Sequence, residues 1–321
     1  MNVSVDLRPT LNPLKFQDPD KTLTGETRAS VALRALETLW INTGTLCNIA
    51  CRGCYIESSP RNDRLTYISC AEVQAYLDEI ARDRLPVAEV GLTGGEPFMN
   101  PEIMPILDLA LARGFRVLVL TNAMRPMERH RARLLDLKNR FQDRLLIRVS
   151  LDHYEAERHD HERGDGSYAR TLDGVRWLVA SGFRVAIAAR TIWNEPPWNE
   201  PAESLRAGFG RLFAREGWPI QASNPQSLVL FPEMEQTADV PEITTACWGI
   251  LNRSPDEMMC ASSRMVVKRI GAKRPAVVAC TLLPYDARFE MGATLAEAAT
   301  PVKLNHPHCA KFCVLGGGRC S

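Results

Sequence analysis

Three cysteines in one short loop are the residues of this chain whose types and spacing most clearly suggest chemistry. Cys47, Cys51 and Cys54 are spaced C-x-x-x-C-x-x-C in a loop that directly follows the strand-like run 38–42. Cysteine groups of this density hold iron–sulfur clusters or zinc. A closed site normally takes four protein ligands, so three thiolates leave one iron of a cubane cluster open to a ligand that is not protein. The loop is therefore predicted to hold a metal centre that reacts, rather than one that only stores an electron.

A glycine-rich turn with the sequence Thr-Gly-Gly-Glu-Pro follows at 93–97, at the end of the next predicted strand. Together with the cysteine spacing, this turn resembles the radical S-adenosylmethionine (radical SAM) enzymes. The resemblance implies that Cys47, Cys51 and Cys54 bind a [4Fe–4S] cluster whose fourth iron is chelated by the amino and carboxylate groups of SAM. It also implies that the reduced cluster cleaves SAM to a 5′-deoxyadenosyl radical, which abstracts hydrogen from the substrate.

The same resemblance assigns residues to a SAM site. Gly94 and Gly95 allow the backbone to approach the SAM amino group closely, and Glu96 is expected either to accept from that group or to cap the following turn. Arg163 resembles the arginine that pairs with the SAM carboxylate, with a solvated loop charge as the alternative. The predicted SAM contacts are Tyr55, Gly94, Gly95, Glu96, Asn122, Ser150, Arg163 and Arg190.

One position departs from the family pattern. The residue before the third cysteine is often aromatic in radical SAM enzymes, but it is Gly53 here, with Tyr55 just after Cys54. The departure puts one packing contact in doubt and leaves the cluster ligands unaffected. The sequence assigns no catalytic residue beyond the cluster.

Alternating strand and helix patterns surround these motifs. Ser69 and Glu72 form a capping box, and helices are further predicted after Asn100, near 169–181 and near 202–216. This order predicts an α/β fold with a parallel sheet, and the resemblance implies a partial (β/α)6 barrel. Sites of parallel sheets lie at the carboxyl ends of strands, where these motifs should meet. The predicted strands are 38–42, 87–93, 115–121, 144–151, 183–189 and 227–231.

Two polar segments are interpreted as irregular. Residues 1–27 carry three prolines and predict an irregular arm, followed by a short helix before the first strand. The histidines and acids of 153–162 favour a charged, solvated loop over a metal site, because charged neighbours surround every histidine.

Cysteines return after the polar stretch 233–245. A hairpin pattern over 265–280 is preceded by Cys260 and ends at Cys280. This resembles the auxiliary-cluster (twitch or truncated SPASM) extensions of radical SAM enzymes and implies a second [4Fe–4S] cluster, with structural zinc or no metal as alternatives. The implied ligands are Cys260, Cys280, Cys309 and Cys313, with Cys320 as a substitute. The predicted domains are an N-terminal arm (1–34), the partial barrel (35–232) and a small cysteine-rich hairpin and helix domain for the auxiliary cluster (233–321).

Composition is that of a soluble globular protein. The 321 residues are 45% hydrophobic and 24% charged, with a net charge of +1. This balance gives no general electrostatic case for nucleic acid or anionic membranes. The N-terminus lacks the apolar core of a signal peptide, and many cysteines without an export signal favour a reducing compartment. The chain is therefore predicted to be cytoplasmic.

The sequence thus predicts a radical SAM enzyme with two clusters, acting on a small molecule or a peptide. The resemblance also implies an external electron donor of the flavodoxin or ferredoxin type. One alternative is a maturase of ribosomally made peptides. Another is a non-enzymatic iron–sulfur carrier or zinc-bound scaffold. A carrier or a scaffold would not need the open three-cysteine site.

Overall fold

One mixed sheet organises the chain, and the computed structural model describes residues 9–192, 200–232 and 238–318. Eight strands form the main sheet and two short strands pair separately. The strands are β1 (Ser30–Val31), β2 (Thr38–Asn42), β3 (Glu89–Thr93), β4 (Arg116–Thr121), β5 (Leu145–Ser150), β6 (Arg184–Arg190), β7 (Leu228–Phe231), β8 (Ser263–Val267), β9 (Ala276–Val278) and β10 (Val302–Lys303).

The predicted parallel sheet is confirmed. Its strand order is β7-β6-β5-β4-β3-β2-β8-β9, and every neighbouring pair from β7 to β8 is parallel. Strands β2 to β7 are the six strands that the sequence predicts, each within two residues of its expected bounds. They form the partial (β/α)6 barrel of the predicted fold class.

Helices cross over between successive strands, as right-handed parallel connections require. The Ser69–Glu72 capping box is present: Ser69 Oγ accepts from Glu72 N, and Glu72 accepts from Ser69 N. Apolar faces of these helices and of the strands form one large buried core. The helices are α1 (Cys70–Asp83), α2 (Ile103–Ala112), α3 (Arg125–Glu128), α4 (Arg131–Phe141), α5 (Ala156–Arg163), α6 (Ser167–Ala180), α7 (Ala202–Glu216), α8 (Cys247–Ile250) and a π-helix (Cys309–Leu315).

The predicted C-terminal hairpin joins the main sheet. Strand β8 pairs parallel with β2, and β9 pairs antiparallel with β8. Arg264 of β8 is fully buried and donates to the carbonyl oxygens of Cys260, Ala298 and Thr300. The C-terminal segment is thereby tied to the sheet, and the division of the chain at residue 233 stays a prediction.

Three local expectations were wrong. The described residues between 28 and 37 contain strand β1 and no helix. Asn100 was expected to cap helix α2, but the helix begins at Ile103 with Glu102 as its N-cap. Asn100 Oδ1 accepts from Glu102 N (2.8 Å) in the turn before the helix, and its Nδ2 donates to the carbonyl oxygens of Thr43 and Ile68. Residues 156–163 form helix α5, in which His159 and Glu162 are buried, so this segment is not a solvated loop.

Among the described residues, no helix is long and apolar enough to cross a bilayer.

Candidate active site

The cysteine loop leaves β2 and lies directly on the glycine-rich turn that ends β3. Thr43 donates to the Thr93 carbonyl oxygen through its backbone nitrogen (2.8 Å) and its hydroxyl (2.9 Å). Gly95 N donates to Gly44 O (2.8 Å), and Glu96 N donates to Leu46 O (3.1 Å). The turn therefore positions the start of the loop that carries the cysteines.

Gly94 shows why this contact needs glycine. Its φ of 144° is unfavourable for residues with a side chain. A Cβ at residue 94 would also lie 3.0 Å from Thr43 Oγ1 and closer still to Gly44 O. The turn and the loop can approach this closely only because the side chain is absent.

One cavity at the carboxyl ends of the strands brings the predicted site together. Its wall includes all three loop cysteines and seven of the eight predicted SAM contacts; Glu96 is the exception. The C-terminal segment closes the other side with Thr281, Leu282 and Phe312. The predicted residues on the wall are Cys47, Cys51, Cys54, Tyr55, Gly94, Gly95, Asn122, Ser150, Arg163 and Arg190.

Glu96 lies behind the cavity wall and holds the strand ends together. Its carboxylate accepts from the Thr121 hydroxyl (2.8 Å), Asn122 N (2.9 Å) and Phe98 N (3.1 Å). The bond from Phe98 N caps the following turn, as the alternative role required. Burial raises the pKa of the Glu96 carboxyl to about 7, although these hydrogen bonds oppose the shift.

This pKa predicts a pH-dependent stability. Because the folded pKa of Glu96 (about 7) exceeds the ordinary glutamate value of 4.5, the folded state binds the proton more tightly, and stability falls as pH rises from about 4.5 to 7. We expect the free energy of unfolding of the wild type, relative to Glu96→Gln, to decrease by roughly 2 kcal/mol between about pH 5 and pH 7.5.

Comparing the two proteins isolates Glu96. The buried His159, His306 and His308 have lowered pKa values and change stability in the opposite direction, but they do so equally in both proteins. Denaturant titrations at the two pH values give the comparison. A stability difference that is the same at both would contradict the role of burial.

Two arginines and two acids form a buried network beside the second and third cysteines. Arg163 donates to Asp152 through Nε (2.8 Å) and Nη2 (3.1 Å). Arg190 pairs with Glu162, and its Nε lies 3.9 Å from Asp152 Oδ2. Burial alone would raise the pKa of Asp152, but the two arginine cations hold it at about 2. The network is thus charged and balanced at neutral pH.

Gly53 is explained by this network. Arg190 Nη1 donates to the Gly53 carbonyl oxygen (2.8 Å), and Arg52 N donates to the Glu162 carbonyl oxygen (2.9 Å). A Cβ on residue 53 would lie 2.8 Å from Arg190 Nη2 and closer still to Nη1. The guanidinium occupies the space beside the backbone that a side chain would need, so the aromatic residue of the family pattern would require Arg190 to move.

The residues of the cavity fit an iron–sulfur cluster and an anionic ligand. Burial raises the pKa of the Cys47 thiol to about 12; burial also raises that of Cys51, against the nearby Arg163 cation. Loading a metal must therefore release protons from these thiols. Arg190 Nε is buried without a hydrogen bond in the described part of the chain, which leaves a donor for a ligand. In the described part of the chain, no group of three or more cysteine, histidine or acidic side chains is already arranged to hold a metal ion.

The second cysteine set lines a smaller cavity. All four predicted ligands, Cys260, Cys280, Cys309 and Cys313, lie on its wall, together with His308 and apolar side chains. Burial raises the pKa of Cys260 to about 11, and the buried Arg264 cation opposes this shift. Cys320 lies outside the described residues.

Two further residues support the cysteine loop and were not predicted. Asn48 accepts from Asn122 Nδ2 (2.9 Å), and that nitrogen also lies 3.9 Å from Cys47 Sγ. Glu162 holds Arg190. Asn48 lies inside the motif, so its position was a usable signal. Glu162 carried no such signal, because it lies on helix α5 and its partner Arg190 lies at the end of β6.

Comparison with known proteins decides the family. The family model described as the radical SAM superfamily matches residues 41–205, just over half of the chain. The chain belongs to the radical SAM superfamily. Radical SAM proteins are enzymes, and membership implies SAM and a [4Fe–4S] cluster as cofactors. The matched range contains the cysteine loop, the glycine-rich turn and the arginine network.

Curated radical SAM relatives match about half of the chain. The antilisterial bacteriocin subtilosin biosynthesis protein AlbA of Bacillus subtilis (strain 168) is 32% identical over 171 residues, which are 52% of this chain and 36% of AlbA. The mycofactocin maturase MftC of Mycobacterium ulcerans (strain Agy99) is 33% identical over 137 residues, 43% of this chain and 35% of MftC. The matched segments thus span about a third of each relative.

Solved structures show the same fold. Streptococcus suis SuiB bound to S-adenosylmethionine has a TM-score of 0.58 at 13% identity and covers 81% of this chain and 64% of SuiB. SuiB bound to the precursor peptide SuiA has a TM-score of 0.59 at 12% identity, with 82% and 63% covered. At these identities the likeness supports the radical SAM fold alone.

Proposed function

We propose that this radical SAM enzyme modifies a peptide in the cavity between its two cysteine sets. The observation that carries the proposal is the position of Leu282, which lines both the large cavity and the small one. A substrate held against Leu282 lies between the loop cysteines and the C-terminal cysteines. The relatives support a peptide substrate, since one makes a bacteriocin and another is crystallised with a precursor peptide.

Cys47, Cys51 and Cys54 would hold the [4Fe–4S] cluster. Together with SAM, the reduced cluster supplies a radical that takes hydrogen from an unactivated C–H position. Arg163 turns Nε and Nη2 toward Asp152, and we assign its third nitrogen, with Arg190 Nε, to the SAM carboxylate. We assign the backbone of Gly94 and Gly95 to the amino group of SAM. Tyr55, Asn122 and Ser150, which line the same cavity, would contact the nucleoside.

The substrate region is largely apolar. Phe231 at the end of β7 stacks on Phe312 of the π-helix, with ring centroids 5.8 Å apart, and both line the cavity with Trp40 and Leu120. Such a wall excludes water from a reactive radical and favours an apolar side chain of the peptide. A small-molecule substrate remains the second candidate, because the wall itself does not distinguish it.

The direct test is anaerobic turnover. Reconstituted protein given SAM and dithionite should form 5′-deoxyadenosine, and a peptide encoded beside the gene should change its mass when added. Formation of 5′-deoxyadenosine without any peptide product, but with a modified metabolite, would favour the small-molecule candidate. Absence of 5′-deoxyadenosine under all conditions would overturn the proposal.

The C-terminal cysteines are proposed to hold a second [4Fe–4S] cluster. Cys309 and Cys313 lie on one π-helix, a form often found at functional sites. Cys260 and Cys280 reach the same cavity from the two ends of the β8–β9 hairpin. Because Leu282 adjoins both cavities, this cluster would be placed to accept an electron from the substrate.

The second cluster gives a separate prediction. A protein with Cys47, Cys51 and Cys54 all changed to Ala should still carry about four irons and four sulfides per chain. Adding Cys260→Ala and Cys280→Ala should remove most of this iron, because two thiolates retain a cubane poorly. Iron and sulfide assays measure both. Zinc in place of iron in the Cys47/Cys51/Cys54 variant would mean that the C-terminal cysteines form a structural zinc site instead.

A further inference from the structure

A strongly basic surface adjoins the cysteine loop beside a second cavity. It surrounds a cavity lined by Asn48, Ile49, Met124 and His130. We define the arginine surface as Arg125, Arg129, Arg133 and Arg170, all of which are exposed. Arg125, Arg129 and Arg170 line this cavity. The positive charges of Arg129 and Arg133 both act on His130.

These arginines are not neutralised by nearby acids. Across residues 9–192, 200–232 and 238–318, none of the four has a carboxylate within 4.0 Å, whereas their neighbour Arg131 pairs with Glu128 and lies over the Trp177 ring. Helix α4 has Arg131 and Arg133 in its first turn and no acid there. The helix dipole disfavours cations at that end. The arrangement therefore costs stability and fits a surface kept for binding negative charge.

The arginine surface lies one layer of residues from the proposed cluster. Ile49 lines both the substrate cavity and the basic cavity. Asn48, next to Cys47 in the chain, has its Nδ2 3.8 Å from Met124 Sδ, and Met124 directly precedes Arg125. An electron entering here would cross only the cysteine loop itself.

We propose that the arginine surface docks an acidic protein that delivers electrons one at a time. This inference rests on the proposed function of the cysteine loop. In the transfer, the carrier is oxidised by one electron and the [4Fe–4S] cluster is reduced from 2+ to 1+, and no atom moves. Complementary charge would raise the encounter rate and fix the carrier's orientation. The chain's overall charge of +1 makes this local surface, rather than the whole molecule, the source of attraction.

Binding tests the surface without any turnover. Oxidised flavodoxin serves as the probe, and its affinity for the reconstituted protein is measured by calorimetry at low and high salt. The double variant Arg125→Glu/Arg129→Glu should raise the dissociation constant about tenfold or more at low salt and remove most of the salt dependence. The matched control is Arg84→Glu/Arg184→Glu, which makes the same charge change. These two arginines lie beside the amino ends of β3 and β6, whereas the cysteine loop lies at the carboxyl ends of the strands.

Turnover with two reductants tests the consequence. With reduced flavodoxin, the concentration that gives half-maximal 5′-deoxyadenosine formation should rise about tenfold in the double variant. With dithionite, which needs no docking, the rate should stay that of the wild type. A wild type that is inactive with both reductants would refute the proposed function, and the binding measurement would still test the surface.

Three results would overturn the docking proposal. The first is flavodoxin affinity that is equal in the wild type and the double variant. The second is an equal loss of activity with dithionite, which would mean that the arginines act on the cluster. The third is weakened binding of an acidic peptide with unchanged binding of flavodoxin, which would assign the surface to a peptide.

Discussion

Replacing Cys47, Cys51 and Cys54 together by Ala should abolish 5′-deoxyadenosine formation. These thiols share the wall of the cavity that holds the other predicted SAM contacts. Without them no ligand remains in the loop to retain a cluster, so the variant should lose the entire activity rather than a fraction of it. Anaerobic turnover with dithionite, followed by chromatography of the nucleoside products, measures the loss.

Two other cysteines provide the matched control. Cys70 begins helix α1 and Cys247 begins α8, and neither lines the two cysteine cavities. The variant Cys70→Ala/Cys247→Ala should keep its iron and its activity. Turnover that survives the triple change, or disappears with the control change, would refute the assignment of the loop.

Asp152→Asn should be the most destabilising single change near the site. Asp152 is 2% exposed and lies between Arg163 and Arg190, whose side chains are only 14% and 15% exposed. Removing its charge leaves the largely buried Arg163 without a carboxylate partner among the described residues, and leaves Arg190 with Glu162 alone. Breaking such a pair costs about 3–5 kcal/mol, because a buried charge is left uncompensated. The free energy of unfolding from denaturant titration measures the loss.

A second change should recover part of this stability. Asp152→Asn combined with Arg163→Gln removes one positive and one negative charge, so the network is balanced again. The surface control is Asp173→Asn, which breaks an exposed pair with Arg176 (2.8 Å) and should cost about 1 kcal/mol or less. Equal losses for Asp152→Asn and Asp173→Asn would show that burial does not govern the Asp152 interaction.

Much of the fold was predictable because its signals are local. Strand β2 was predicted at its observed bounds, since the apolar residues 39–41 lie between Thr38 and Asn42 in a short segment of the kind buried in parallel sheets. The Ser69–Glu72 capping box fixed the start of α1. The cysteine loop and the glycine-rich turn could be placed together because parallel strands end at one edge of the sheet.

The unpredicted features depend on contacts between distant residues. Helix α5 is almost entirely polar, and its buried residues have distant partners: Glu162 pairs with Arg190, 28 residues away. The space beside Gly53 is likewise occupied by Arg190, and no pattern around the cysteines reveals that contact. Charge pairs of this kind have no sequence periodicity, so a polar segment alone cannot distinguish a solvated loop from a buried helix.

The pairing of β2 with β8 has a consequence for biosynthesis. Thr38 of β2 pairs with Ser263 of β8, which is 263 − 38 = 225 residues later in the chain. At ribosomal rates of about 5–20 residues per second, the edge of β2 that pairs with β8 stays unpaired for roughly 11–45 s during synthesis. An apolar strand with an open edge is a template for association with other chains. The late position of β8 in the sequence therefore sets how long this edge of β2 stays unpaired during synthesis, and a truncation before Ser263 would leave that edge permanently open.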